Sequence, residues 1–260
     1  MNTTGASLLV GTSYVTRKIL QEARQVAPSP APVLIRGEPG TGKSLVSELI
    51  HHESTRRDKP FIRLRCSEMS ACLLERELFG HVRDVFPDAW NARYGSLENT
   101  RGGTIYFDEI AALAPATQIK LLQLLEEHTF EPLGSDKPVR ADVRVLASTK
   151  HPLEKLVHSG AFRTDLFYRL AVFPIQLLPL RKHASDIPAL IGHFITKYAQ
   201  IHGKTIRGIL APGMTLLTQH RWPGNVRELE ECIEKAILES TDGWLRIDRQ
   251  CCWWHRGCVK

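Results

Sequence analysis

Gly37-Glu38-Pro39-Gly40-Thr41-Gly42-Lys43-Ser44 is the stretch on which the fold turns. It lies between the apolar run Val33-Leu34-Ile35 and a helical stretch from Ser44 to His52. Strand, glycine-rich turn and helix in that order read as a phosphate loop. Backbone amides and the opening of the helix present positive partial charge to phosphate oxygens. The glycines let the backbone approach a ligand closely. Lys43 has the length to reach β- and γ-phosphates, and the Ser44 hydroxyl is a ligand for Mg2+.

Working outward, Phe61-Ile62-Arg63-Leu64, Thr104-Ile105-Tyr106-Phe107, Val143-Arg144-Val145-Leu146-Ala147 and Val172-Phe173-Pro174-Ile175 read as further strands. Helical stretches separate them, which predicts crossover units and an α/β fold with a parallel sheet covered on both faces. Asp108-Glu109 follows the third of these runs. Alone, an acidic pair after a strand reads as a helix cap. Beside a phosphate loop, Asp108 is assigned to Mg2+ and Glu109 to orienting and polarising an attacking water.

Past residue 180 the pattern changes. Ser185-Asp186 reads as a helix start. Ile187, Leu190, Ile191, Phe194, Ile195 and Tyr198 follow at helical spacing, with Gly203 just beyond. A second helix is expected from Pro212 to His220. A third opens at Asn225, with Glu228 as capping-box partner and Val226, Leu229, Ile233 and Ile237 as its apolar stripe. The expected organisation is an α/β nucleotide-binding domain over 8–180, a small helical domain over 181–248, and an unassigned basic tail rich in Cys and Trp over 249–260.

The 260 residues are 43% hydrophobic and 24% charged, which excludes global disorder. No apolar run is long enough for a membrane helix, and the N-terminus lacks the pattern of a secretory signal. Cys66, Cys72 and Cys232 read as small core residues, and a reducing, cytoplasmic setting is expected. The net charge of +6 fits polyphosphate or nucleic-acid partners but speaks to association, not chemistry. In the tail, Cys251, Cys252, His255 and Cys258 offer zinc ligands, but no second Cys-x-x-Cys pair supports them; a truncated or disordered end is the preferred reading.

Five segments now stand in one order: GEPGTGKS, ELFGH (Glu77 to His81), GGTIYFDEI, FRTDLFYRL and WPGNVRELE. With them the sequence resembles the AAA+ domain of sigma-54-dependent transcriptional activators, the bacterial enhancer-binding proteins, from about Leu8 to about Asp248. The resemblance implies an AAA+ P-loop core with a helical lid. It also implies an ATPase that works with Mg2+ as a ring, usually a hexamer, with ATP between subunits and RNA polymerase holoenzyme as target. Arg163 and Arg169 match the family's arginine fingers, which stabilise charge on a neighbour's transferring phosphoryl group. Read without the resemblance, either is a surface salt bridge. Arg227 matches the sensor II arginine and Thr149 sensor I.

Three departures bear on the output. The family's sigma-54-contacting loop, GAFTGA, is Asp84-Val85-Phe86-Pro87-Asp88-Ala89 here. Its central Phe86 is kept, but Pro87 fixes φ and two carboxylates replace glycines. The family's strand asparagine that restrains the water-activating glutamate is Arg65. A guanidinium beside Glu109 would depress its pKa and slow hydrolysis, and Arg65→Asn would raise it. The Thr-Asn of sensor I is Thr149-Lys150, and lysine cannot accept a hydrogen bond. About a dozen residues follow the lid, too few for a helix-turn-helix, so sequence-specific DNA binding by this chain is not expected. Two rival readings fit the same residues: a nucleotide-gated co-regulator with little turnover, and a non-functional remnant.

Overall fold

A computed structural model describes residues 9–83 and 93–247. They form two compact units. The first holds Gln21–Gly37 and Lys43–Gln176; the second holds residues 9–20, Glu38–Gly42 and the chain from Leu177. Loop residues Asp84 to Ala89 and the tail over 249–260 lie outside the described residues.

The first unit is built on a five-stranded sheet of β1 (Val33–Arg36), β2 (Phe61–Arg65), β3 (Thr104–Asp108), β4 (Arg144–Thr149) and β5 (Phe173–Gln176). Their order is β2-β3-β4-β1-β5 and every pairing is parallel. Leu34, Ile35, Ile105, Phe107, Leu146 and Ala147 are fully buried, as strands covered on both faces require. Register sets Arg36 beside Thr149 and Arg65 beside Asp108. The carboxyl ends of β1, β3 and β4 therefore finish together, the edge at which open parallel sheets bind ligands.

Helix α1 (Tyr14–Val26) precedes β1, and α2 (Lys43–His52) follows the phosphate loop. Later come α3 (Ala71–Phe79), α4 (Pro115–Glu127), α5 (Leu153–His158) and α6 (Thr164–Leu170). Ser70 starts α3 by accepting the Leu73 amide at 3.3 Å. Phe79, Phe107, Phe130 and Phe162 share one core with leucines of α3, α4 and α6. Arg144, in a buried strand, spends its charge on a helix end. Its Nη1 and Nη2 donate to the carbonyls of Ala27 and Val26 at 2.6 and 2.8 Å.

The second unit contains α7 (Ile187–Ile201), α8 (Ala211–Gln219) and α9 (Asn225–Glu239). Their apolar faces meet around Trp222, Leu190, Phe194, Leu217, Leu229 and Ile233. Trp222 is fully buried and its Nε1 donates to the Leu217 carbonyl at 2.9 Å.

Two local expectations are corrected, and one is extended. α7 starts directly after Asp186 as expected, but the Asp186 side chain makes no cap bond to that helix. Its carboxylate instead accepts the Thr12 and Ser13 amides at 2.7 Å each, and the hydroxyls of Ser13 and Thr16 at 2.6 and 2.7 Å. It thus anchors the entry to α1, where Ser13 caps through the Thr16 amide at 3.1 Å. The Glu228 carboxylate accepts the amide of Gly224 at 2.7 Å, so the cap residue of α9 is Gly224 and not Asn225. Cys72 is exposed, whereas Cys66 and Cys232 are buried. Among the described residues no helix is long and apolar enough to cross a membrane.

Asp186 has no exposed surface. Burial opposes its ionised form, but the hydroxyls of Ser13 and Thr16 and the amides of Ser13 and Thr12 outweigh that and hold its pKa below the ordinary value. Such a carboxylate contributes stability above its unfolded pKa and loses it as pH falls through the depressed native one. Asp186→Ala should cost ~3 kcal/mol in urea denaturation at neutral pH. The gap to wild type should narrow below about pH 4.

Candidate nucleotide site

β3 ends at Asp108, and the chain turns at once. Glu109 has φ 65°, a left-handed conformation that a non-glycine residue adopts at a cost. The turn swings Glu109 toward the end of β4. There its Oε1 accepts the Thr149 hydroxyl at 2.9 Å and its Oε2 accepts the Lys150 amide at 3.2 Å. Thr149 is itself held by the His151 amide at 3.0 Å. Two residues read separately from sequence, Glu109 and Thr149, thus form one unit.

Asp108 sits in a denser network. Its Oδ2 accepts Nη2 of Arg63 at 2.5 Å; its Oδ1 accepts the Ser148 hydroxyl at 3.0 Å and the Tyr106 hydroxyl at 3.3 Å. Burial pushes the Asp108 pKa up, but Arg63 and Ser148 prevail and hold it below the usual range. Tyr106 also donates its hydroxyl to Ser148 at 2.7 Å, so phenol, serine and carboxylate form one network. Burial pushes that phenol's own pKa up. A carboxylate and a hydroxyl are hard oxygen donors that suit Mg2+. Among the described residues no cluster of three His, Cys, Asp or Glu could hold a metal ion.

Arg65 does not meet Glu109. The chain folds back after β2, the Glu68 amide donating to the Arg65 carbonyl at 3.1 Å, and the Arg65 guanidinium pairs with Glu68 at 3.1 Å. Glu109 is restrained by Thr149 and Lys150 instead, so the expected weakening of Glu109 by Arg65 has no contact behind it. The arginine that reaches an acid of the site is Arg63, two residues earlier. Its sequence signal was a charge inside an otherwise apolar strand. Tyr106 and Ser148 gave none.

Phosphate-loop residues have several tasks. In the first unit, the Gly37 amide donates to the Thr149 carbonyl at 3.2 Å, and Lys43 Nζ folds back onto the Gly37 carbonyl at 2.8 Å. In the second unit, the Gly40 carbonyl accepts the amides of Val226 and Arg227 at 3.0 and 3.3 Å, serving the first turn of α9. Gly40 has φ 77°, and a Cβ there would lie 2.1 Å from the Gly224 carbonyl oxygen. Thr41 donates its hydroxyl to the Glu38 carbonyl at 2.8 Å. Gly42, at φ 93°, takes a backbone conformation that favours glycine.

Glu38 is clasped by Arg181, Nη1 to Oε2 at 2.8 Å and Nη2 to Oε1 at 2.5 Å. Fully buried Asn225 adds Nδ2 bonds to Glu38 Oε2 at 3.2 Å and to the Pro39 carbonyl at 2.9 Å. The Asn225 Oδ1 accepts the Leu180 amide at 2.9 Å. Hydrogen bonding from Arg181 leads in pulling the Glu38 pKa down to about 2. Arg227 lies exposed on the first turn of α9.

Arg163 precedes α6 and Arg169 lies in its last turn. Both are exposed. Arg163 pairs with Asp165 at 2.6 Å and Arg169 with Glu126 at 3.4 Å. Arg36, the last residue of β1, pairs with Glu154 of α5 at 2.5 Å and lies 5.5 Å from the ring centre of Phe167 in α6.

A parallel sheet in this order, with a phosphate loop after β1, an acidic pair after β3, a polar residue closing β4 and a helical lid, defines an AAA+ P-loop NTPase fold. Residues 9–176 match the sigma-54 interaction domain and residues 181–249 the AAA+ ATPase lid domain, and the chain belongs to the sigma-54 interaction domain family. It is 41% identical over 242 residues to the Nif-specific regulatory protein of Azotobacter vinelandii, covering 93% of this chain and 46% of that one. It is 40% identical over 237 residues to the transcriptional regulatory protein ZraR of Escherichia coli, covering 91% of this chain and 54% of that one. A crystal structure of NtrX from Brucella abortus in complex with ATP superposes with a TM-score of 0.84 at 35% identity, over 91% of this chain and 52% of that one. The chain spans about half the length of the curated relatives it matches.

Gly40→Ala tests the close approach at the start of α9. It should lower the thermal midpoint by roughly 5 °C or more, because strain and a backbone clash arise together. Circular dichroism melting reads the change, and an unaltered midpoint would show that the contact is dispensable.

Proposed function

We propose that this chain binds ATP with Mg2+, hydrolyses it as a member of a ring, and uses the cycle to act on sigma-54 RNA polymerase in the cytoplasm. The observation that carries the reading is the meeting of Glu109, Thr149 and the Lys150 amide beside Asp108, at the edge where the phosphate loop begins. In this reading the phosphate loop holds the nucleotide through Gly37, Glu38, Pro39, Gly40, Thr41, Gly42, Lys43 and Ser44. Lys43 exchanges the Gly37 carbonyl for phosphate oxygens. Ser44 and Asp108 hold Mg2+, which when bound neutralises charge on the β- and γ-phosphates.

Glu109 orients a water toward the γ-phosphorus and takes its proton as the bond to ADP breaks. Thr149 holds the carboxylate in line. Arg163 and Arg169 act on the site of an adjoining subunit, leaving exposed carboxylate partners for the charge on the transferring group. Such exposed pairs are weakly held, so the exchange meets little resistance. Arg227 reads the γ-phosphate from the first turn of α9. The NtrX structures with ATP and with ADP support the choice of nucleotide.

A second reading, a nucleotide-gated co-regulator with little turnover, is favoured by the altered residues Asp84 to Ala89 and by the arginine on Asp108. Steady-state ATPase measured against protein concentration separates the two. Turnover per subunit should rise with concentration, since trans-acting arginines need a neighbour. Glu109→Gln should retain ATP binding and lose turnover by roughly a hundredfold or more. Arg163→Ala or Arg169→Ala should lose about a thousandfold. ATP binding with no turnover at any concentration would select the co-regulator.

A further inference from the structure

We infer that Arg63 is an internal competitor for the metal at Asp108: its guanidinium covers the carboxylate oxygen that a nucleotide-bound divalent cation needs, so metal entry requires the arginine to leave. The inference rests on the proposed role of Asp108 as a magnesium ligand. Nη2 of Arg63 lies 2.5 Å from Oδ2, while Oδ1 is taken by Ser148 and Tyr106. Both acceptor atoms of the carboxylate are therefore engaged by the chain itself.

The contact is sheltered. The Arg63 and Asp108 side chains are 30% and 22% exposed, and the guanidinium carbon lies 5.9 Å from the centre of the Tyr106 ring. Charge-assisted hydrogen bonds are stronger there than at the open surface. Arg63 Nε is buried without a hydrogen-bond partner, so the guanidinium is poorly satisfied apart from Asp108. Neighbouring Arg65 has its own acid in Glu68, and Arg63 pairs with no other carboxylate among the described residues. An arginine and a divalent cation cannot both bind one carboxylate oxygen closely, because like charges would meet in a half-buried place. Apparent metal affinity then falls by the fraction of molecules in which Arg63 has moved away.

The test is equilibrium binding of a fluorescent ADP analogue to the full chain, with Mg2+ and with EDTA. The ratio of the two affinities reports metal binding without any turnover. Arg63→Gln should enlarge that ratio about tenfold over wild type and leave the EDTA affinity unchanged. Arg63→Met, which keeps an apolar stem over Tyr106, should behave alike and serves if the glutamine variant does not fold. Arg65→Gln should match wild type. An unchanged ratio in both Arg63 variants overturns the inference, as does a smaller one, which would mean that Arg63 positions Asp108 for the metal. The same gain in Arg65→Gln also overturns it, since general charge removal would then suffice. If neither wild type nor variants bind the analogue in either condition, nucleotide binding itself fails and this inference with it.

Discussion

Parallel pairing of β1, β3 and β4 brings distant residues to one edge. Arg36 pairs in register with Thr149, and Phe107 with Ala147, so the residues that follow each strand emerge side by side. Everything chemical in the first unit hangs on that alignment. A slip by one residue would turn Thr149 and Asp108 to the opposite sheet face. Buried apolar side chains on both faces forbid the slip, and the hydrophobic core thereby specifies where Glu109 can meet a hydroxyl.

Strands, their parallel class and the phosphate loop were readable because each depends on local pattern. Apolar runs of a few residues, a glycine-rich turn and an acidic pair announce themselves without knowledge of the partner. Side-chain pairing was less readable because it depends on where distant segments arrive. Arg63 and Asp108 are 45 positions apart, and nothing in Phe-Ile-Arg-Leu-Arg says which arginine will find the acid. The backward turn after β2 decides it by delivering Glu68 to Arg65. Ser185-Asp186 marks the start of the helix beside it, yet the donors to the Asp186 carboxylate lie some 170 positions earlier, on Thr12, Ser13 and Thr16.

Glu38 and Gly40 show why a motif can be located correctly and still be read too narrowly. Both belong to a pattern associated with phosphate, but in the second unit they also hold the opening of α9 through Arg181, Asn225 and the amides of Val226 and Arg227. A glycine is required at position 40 by the nearby Gly224 carbonyl whether or not a ligand is present. The left-handed conformation of Asn225, φ 55°, aims its amide at Glu38 and Pro39, where an ordinary helix start would leave it in solvent.

Arg36 joins three elements of the first unit. It is the final residue of β1, one peptide bond before the phosphate loop, yet its guanidinium is bonded to α5 and stacked on α6. A single planar cation at the end of β1 thereby ties that strand both to α5 and to the helix that carries Arg169, so the ion pair and the ring contact are kept together or lost together.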